Sequence, residues 1–430
     1  MQEKLTLQKK LEKKKYKAPN PLVYKLLSYV FIPILRRKFH VKETVIDKVP
    51  KKGPMFVIFN HQSRLDYLYV SPLAAPRKLN YIVAYNEHFR SHLKMIFNLM
   101  HVIPKKNFTL DMVGMRGIDS VIKKGGAVAF SPEAMSSIYG QNQPIVPGTG
   151  KMFKHYGVPI YFVELRGAYL SNTKVCLDNR YGEIHSSIRL LFSEDDLKKL
   201  TAEEINNKIN EAFRIDDYEW QKEKHIKWET KGNICSHLHD INYQCPKCGS
   251  EFTMIGEKDT IRCTKCGNEA KMNDYYEFVP TEGSVIPESP NKWVLYEREN
   301  IIKAIRKDPN YSFIFHTKIG TIPPYHYLKH KKFSEIVGDG DITINHQGIH
   351  FKGTKNNEPY SFSLSYEEVY TLGMPEDATF FNLFVDYEYV ELHPDQPVVG
   401  KTLLLVEEMH RLHVNRWKNF PWFDYLYKKS

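Results

Sequence analysis

Four short apolar runs, separated by stretches of helical periodicity, constrain this 430-residue chain more than any other feature. Met55–Phe59 (MFVIF), Leu79–Ala84, Ala127–Phe130 (AVAF) and Val158–Leu165 (VPIYFVEL) have the length and apolar content of buried strands. Between them, Leu93, Ile96, Phe97 and Met100 keep the i, i+3, i+4, i+7 spacing of one helix face. A second helix is expected over Thr109–Lys124, stopped by Gly125-Gly126, because glycine tolerates the backbone turn that ends a helix. Strands alternating with helices predict an α/β domain: a mostly parallel sheet flanked by helices.

The rest of the chain changes character twice. Residues 193–228 turn helical and polar, and a cysteine-rich module follows at 235–279. The stretch 280–290 (PTEGSVIPESP) reads as a boundary by composition. Beyond it, Asp341–Lys352, Tyr360–Leu364 and Phe381–Leu392 alternate like strands, and Thr402–Trp417 reads as a helix with Leu405, Met409 and Leu412 on one face. The expected organisation is therefore a basic arm and apolar helix (1–44), an α/β domain (45–234), a ribbon (235–280) and a β-rich α+β domain (291–430). The strands-then-helix order of the last unit resembles pleckstrin-homology or GRAM-like domains, a fold analogy that licenses no ligand.

Charge narrows the partners. The formal net charge is +11, and residues 1–20 alone hold seven Lys against two Glu. Such a balance favours polyanions, either nucleic acid or an anionic bilayer. Leu22–Leu35 (LVYKLLSYVFIPIL) follows at once, strongly apolar but shorter than the roughly 20 residues that span a bilayer. It lacks a small-residue cleavage site, so no signal peptide is read. A basic arm before a short apolar helix suits a peripheral anchor on the inner face of a membrane, facing the cytoplasm. A helix packed on the core fits the same pattern.

Chemistry-bearing residues follow the strands. Asn60-His61-Gln62-Ser63-Arg64-Leu65-Asp66 comes directly after MFVIF, Lys105-Lys106 after His101-Val-Ile-Pro104, and Ser131-Pro132-Glu133 after AVAF. In parallel sheets ligands bind at the carboxyl ends of the strands, so these groups should share one edge. A histidine that titrates near neutrality can deprotonate an attacking hydroxyl, with a carboxylate holding its tautomer. No G-x-S-x-G elbow is present, so the substrate's own hydroxyl can be the nucleophile. A capping box, Ser63-x-x-Asp66, would explain Asp66 equally well and is compatible with the catalytic reading.

At these residues the chain resembles the glycerolipid (lysophosphatidate-type) acyltransferases, known for their HxxxxD motif. Asn60-His61-Gln62-Ser63-x-x-Asp66 is similar to their N-H-x-S-x-x-D signature, Ser131-Pro132-Glu133-Ala134 to F-P-E-G, and Val158-Pro159-Ile160 to V-P-I. The blocks run in order over roughly residues 45–195. The resemblance implies acyl transfer from acyl-CoA or acyl-carrier protein to a lysophospholipid hydroxyl, such as that of 1-acylglycerol-3-phosphate. His61 would be the base and Asp66 its orienting partner. Asn60, Ser63, Lys105, Lys106, Pro132, Glu133 and Ser136 would line the substrate, and backbone N–H groups near Ser63 would face the oxyanion. Membrane lipids would be partners.

Two departures matter. The family's third block usually reads F-P-E-G-T-R-S, and its Arg helps bind the acceptor phosphate; here Ser136 stands at that place. The second block normally ends in Arg, and here it reads Lys105-Lys106-Asn107. Lysine binds phosphate as a point charge, without the bidentate geometry of arginine. An inactive homologue that scaffolds lipid or protein is the alternative these departures keep open.

Cys245-x-x-Cys248 and Cys263-x-x-Cys266 form C-x2-C-x14-C-x2-C, the pattern of a zinc ribbon with a closed structural Zn2+ site. Disulfides or buried thiols are the competing readings, and the absence of an export signal argues against disulfides. Cys235, His237 and His239 hint at a second metal site without an obvious fourth ligand. Zinc ribbons also bind nucleic acid, but this one lacks the dense Arg cluster with interleaved aromatics expected of a reader. Cys176 reads as a buried thiol in a β-like run. The aromatic and basic tail 416–429 suits a second membrane contact or packing on its own domain. Nothing in the sequence signals an oligomeric state.

Overall fold

Alternation within the apolar runs decides the layering. The computed structural model describes residues 5–330 and 332–417. Seven strands, β1 (His40–Val45), β2 (Met55–Phe59), β3 (Leu79–Ala84), β4 (Ile103–Lys105), β5 (Ala127–Phe130), β6 (Ile160–Arg166) and β7 (Glu183–Phe192), form one sheet ordered β1-β7-β6-β2-β5-β3-β4. Every neighbouring pair is parallel except β6–β7. Met55, Val57 and Phe59 pack on one face with Leu68, Val70 and Leu73 of the helix Tyr67–Leu73. Phe56 and Ile58 pack on the other, against Ile118 and Val121 of Met112–Ile122, Phe153 of Thr149–Tyr156, and Ile205 and Ile209 of Ala202–Ala212. All five β2 side chains are buried, each large one contributing about 1.5–3 kcal/mol.

Three of the four expected strands have the expected bounds. The fourth opens at Ile160, because Pro159 has no N–H for the ladder and offers only its carbonyl to Phe56. The helix expected over Thr109–Lys124 is Met112–Ile122, set by Asp111, whose carboxylate accepts the N–H groups of Val113 and Gly114. The Leu93–Met100 face belongs to the short helix Lys94–Leu99, and Ile96, Phe97 and Met100 pack against Val23, Tyr24 and Leu27. The β-like run around Cys176 is not a strand. Its thiol is buried and donates to the Asn233 carbonyl.

The cysteine-rich module is a four-stranded antiparallel sheet of β8 (Met254–Glu257), β9 (Thr260–Cys263), β10 (Glu269–Met272) and β11 (Phe278–Pro280). The helix Pro290–Lys307 follows, then six antiparallel strands and the helix Val399–His413. The strands β12 (Ser312–Thr321), β13 (Glu335–Asn345), β14 (Gly348–Lys355), β15 (Glu358–Leu364), β16 (Phe381–Val385) and β17 (Glu388–Pro394) are ordered β15-β14-β13-β12-β17-β16. Two runs expected as single strands are hairpins, turning at His346-Gln347 and at Asp386-Tyr387. The helix Pro290–Lys307 and β12 carried no clear signal. In that helix the apolar face is interrupted by buried Asn291, Glu297 and Arg298, which blurs the period. Arg298 pairs there with Glu407 and Glu408 of the last helix. That last helix is buried on nearly all sides, and of its expected face only Leu412 is exposed.

The stretch 281–289 is a largely exposed loop fastened at Val285. Asn268 clamps Val285 through its N–H at 2.7 Å and its carbonyl at 2.8 Å. One hydrophobic core runs from Ile32 to Met409 and takes residues from the α/β domain, the ribbon and the β-rich domain alike. The apolar N-terminal segment is a helix, Pro21–Leu26, continued by a wider turn (Leu27–Phe31) into Ile32–Arg36. It buries Tyr24 and Ile32 while Leu22, Leu26, Tyr29, Val30, Ile34 and Leu35 face outward. The reading of a helix packed on the core holds for the face that carries Tyr24 and Ile32. Among the described residues no helix is long and apolar enough to cross a membrane. Of the basic aromatic tail, Arg416 pairs with Glu367 and Trp417 packs on Tyr370 and His410; the residues from 418 on lie outside the described residues.

Candidate active site

The sheet order brings the expected groups to one edge. β2, β5, β3 and β4 are parallel neighbours, so the segments that follow them, with His61, Glu133 and Lys105-Lys106, leave the sheet together. Asn107 ties two of these loops, donating to the Ala134 carbonyl at 2.8 Å.

The His61 ring meets Asp66, with Nδ1 2.7 Å from Oδ2. The loop bends back because Asp66 also accepts the N–H groups of Gln62 (2.9 Å) and Ser63 (3.0 Å) and the Ser63 hydroxyl (3.3 Å). This is half of a capping box: the carboxylate satisfies Ser63, but the helix itself starts at Tyr67 without a side-chain cap. The Asp66 side chain is almost wholly buried and that of His61 is 28% exposed. Burial works to keep the imidazole neutral. The Asp66 bond, with the charges of Asp66, Glu376 and Glu133, outweighs it and raises the pKa above the ordinary histidine value. Burial pushes Asp66 up, opposed by His61 and the two N–H donors.

The residues expected to line a substrate are mostly committed to the protein. Asn60 is buried and exchanges two 2.8 Å bonds with the main chain of Leu165, stitching the loop to β6. Ser63 holds Asp66 and the Leu65 N–H. Glu133 is buried, with one oxygen on the His61 N–H (2.6 Å) and the other on the Gln143 N–H (2.7 Å). Burial drives its pKa to about 8 despite those donors. Both of its oxygens are engaged by the main chain, one of them at His61. Pro132 is buried and its carbonyl accepts the Val146 N–H. Among the N–H groups near Ser63 expected at the oxyanion, those of Gln62 and Ser63 are spent on Asp66. Lys105 sits on the Lys106 carbonyl and 3.9 Å from Asp111; Lys106 donates to the Tyr387 carbonyl of the β16–β17 turn.

Sequence reasoning missed two charged groups here. The Lys174 ammonium is buried and donates to the Ser136 hydroxyl at 2.8 Å. Ser136 in turn donates to Glu376 at 3.0 Å, a residue of the β-rich domain. Lys174 lay in a run read as a strand, and Glu376 is 240 positions from Ser136, so neither had a local signal. Ala134, where F-P-E-G has glycine, is held at φ +63°. This left-handed backbone costs a residue with a Cβ about 1 kcal/mol.

The four ribbon cysteines converge. Sγ of Cys245 lies 3.6 Å from Cys266 and Sγ of Cys248 lies 3.9 Å from Cys263. Four sulfurs at about 2.3 Å from one zinc would be separated by about 3.8 Å, so the set fits a tetrahedral ion. No pair is bonded as a disulfide. Asn268 and Thr253 contact Cys245 and Cys263 as outer partners. Cys235 is apart from this set and from the histidines, its thiol on the Asp259 carbonyl. His237 and His239 cluster with Asp240 instead. His239 Nδ1 already accepts the Gly256 N–H.

Comparison with known proteins agrees with this layout. The family described as Acyltransferase matches residues 40–165, and the zinc-ribbon family described as DNA directed RNA polymerase, 7 kDa subunit, matches residues 239–268. No curated protein matches the chain. Among solved structures, the 1-acyl-sn-glycerophosphate (LPA) acyltransferase PlsC from Thermotoga maritima is similar, at 18% identity and a TM-score of 0.36, over 45% of this chain and 76% of its own. Residues 40–165 are an acyltransferase-family domain, followed in the same chain by a zinc ribbon over 239–268.

Proposed function

We propose that this protein transfers an acyl chain from an acyl thioester (acyl-CoA or acyl-carrier protein) to a hydroxyl of a lysolipid acceptor. The carrying observation is the 2.7 Å contact of His61 with a buried carboxylate, at the strand-end edge of an acyltransferase-family domain. With Nδ1–H donated to Asp66, Nε2 is left as the base. It takes the proton of the acceptor hydroxyl as that oxygen attacks the thioester carbonyl; the C–S bond then breaks and the thiolate leaves. The motif resemblance suggests 1-acylglycerol-3-phosphate as one acceptor to assay, beside an uncharged lysolipid. Purified His61→Ala and Asp66→Asn should lose transfer from acyl-CoA to a lysolipid. Undiminished transfer by both overturns the reading.

Peripheral docking on the inner face of a membrane belongs to the same proposal. Its support is the outward apolar row of the N-terminal helix, with Leu22 77% and Ile34 63% exposed, beside Lys25 and Arg37. Anionic vesicles should retain the chain and Leu22→Asp/Ile34→Asp should not be retained; equal retention refutes it. A second reading, a lipid-binding scaffold without turnover, draws on the inward commitment of Asn60, Glu133 and Ser136.

A further inference from the structure

The β-rich domain reaches into the acyltransferase domain at a charged cluster around Glu376. Glu376 and Asp377 form a turn in which the Ala378 N–H meets the Pro375 carbonyl, and the Glu376 backbone carbonyl accepts the Val175 N–H at 2.8 Å. Its carboxylate takes the Ser136 hydroxyl at 3.0 Å and lies 3.7 Å from the Lys174 ammonium. Lys174 is 1% exposed and Glu376 30% exposed, so the cation is sealed beneath and the carboxylate meets solvent. The next residue, Ser137, donates its N–H to the His61 carbonyl at 2.7 Å. An acceptor that brings its hydroxyl to His61 therefore brings its head group near this cluster.

Two of the cations nearby are paired with carboxylates, and two rest on main-chain carbonyls and keep their charge. Lys174 is neutralised by Glu376, Lys105 is near Asp111, and Lys106 is anchored on the β16–β17 turn. Arg64 is exposed, with its guanidinium on the Leu177 carbonyl. On the acidic side stand Asp66 and Glu376. A phosphomonoester brings a charge of about −1.5 to −2. Placed on Ser136, it would lie against the Glu376 carboxylate, whose buried partner Lys174 is already paired with it. A hydroxylated, uncharged head group meets only hydrogen-bonding partners.

We propose that Glu376 is a specificity-determining residue, which excludes a phosphomonoester head group and selects an uncharged lysolipid such as a monoacylglycerol. The assignment rests on the acyl-transfer reading and narrows its acceptor. It also gives the β-rich domain a role: it completes the rim of a site that the acyltransferase domain leaves open.

The test uses the full chain with acyl-CoA and two acceptors of the same acyl length, 1-acylglycerol-3-phosphate and 1-monoacylglycerol, in matched mixed micelles. The wild type should use the uncharged acceptor with the higher kcat/KM. Glu376→Gln keeps the shape and an acceptor for Ser136 while removing the charge, and should move the kcat/KM ratio toward the phosphate acceptor by about tenfold or more. Wild-type preference for the phosphate acceptor, or a ratio unchanged in Glu376→Gln while transfer persists, overturns the role of Glu376 and leaves acyl transfer standing. Absence of transfer by the wild type to either acceptor overturns both.

Discussion

Asp66→Asn tests the chemistry most directly, because the structure says what the amide does wrong. Asp66 accepts from four donors: the His61 ring, the Gln62 and Ser63 N–H groups, and the Ser63 hydroxyl. Asparagine has one oxygen for them. If that oxygen faces Ser63, the NH2 group points at His61 and Gln62; the ring must then accept at Nδ1 and carry its proton on Nε2, which disables the base. If it faces His61, the NH2 group opposes the Ser63 N–H, and the charge is still lost. A wrong tautomer in a comparable His–carboxylate pair costs about 10⁴ in rate, and loss of the charge alone less. A fall in kcat of about 10²–10⁴ is expected, with KM little changed. The pH profile supplies an independent check. His61 must be neutral to act, so activity rises with pH through its pKa, which Asp66 helps to hold above the ordinary value. In Asp66→Asn the burial contribution remains and the largest opposing one is gone, so the midpoint should move to lower pH. Steady-state transfer from acyl-CoA across pH 5–9 reads both quantities. A variant within about threefold of wild type, or an unmoved midpoint, would refute the argument.

Glu133 makes a prediction about stability. Its folded pKa, about 8, exceeds the ordinary value of 4.5, so the native chain holds a proton that the unfolded chain releases. The stabilisation is complete below pH 4.5 and lost as pH rises through about 8, and Glu133→Gln should flatten that slope in denaturant melts at several pH values. A parallel slope in the variant refutes it. Removing zinc with a chelator, or Cys263→Ser, should lower the Tm of the acyltransferase domain as well, because the ribbon shares its core with that domain; calorimetry with metal analysis checks this, and an acyltransferase transition left in place counts against it. Ala134→Gly should raise stability by about 0.5–1 kcal/mol by relieving the left-handed backbone, as measured by urea unfolding.

The sequence by itself determined the elements whose signal is local. Strand runs such as Met55–Phe59 have one outcome, because an unbroken apolar pentapeptide is stable only when covered on both faces. His61 and Asp66 are five residues apart, and a single tight loop brings them together. The four cysteines carry their geometry in their spacing. What the tertiary structure decided is which polar groups the protein itself ties up. Asn60 and Glu133 read as substrate residues until β6 and the Gln143 loop are seen to use them up. The helix Pro290–Lys307 stayed hidden because its buried Glu297 and Arg298 look like solvent-facing residues until Gln244, Glu407 and Glu408 satisfy them. Glu376 reaches Ser136 and Lys174 from another domain. Such pairings depend on packing between segments hundreds of residues apart, and no local period or spacing encodes them.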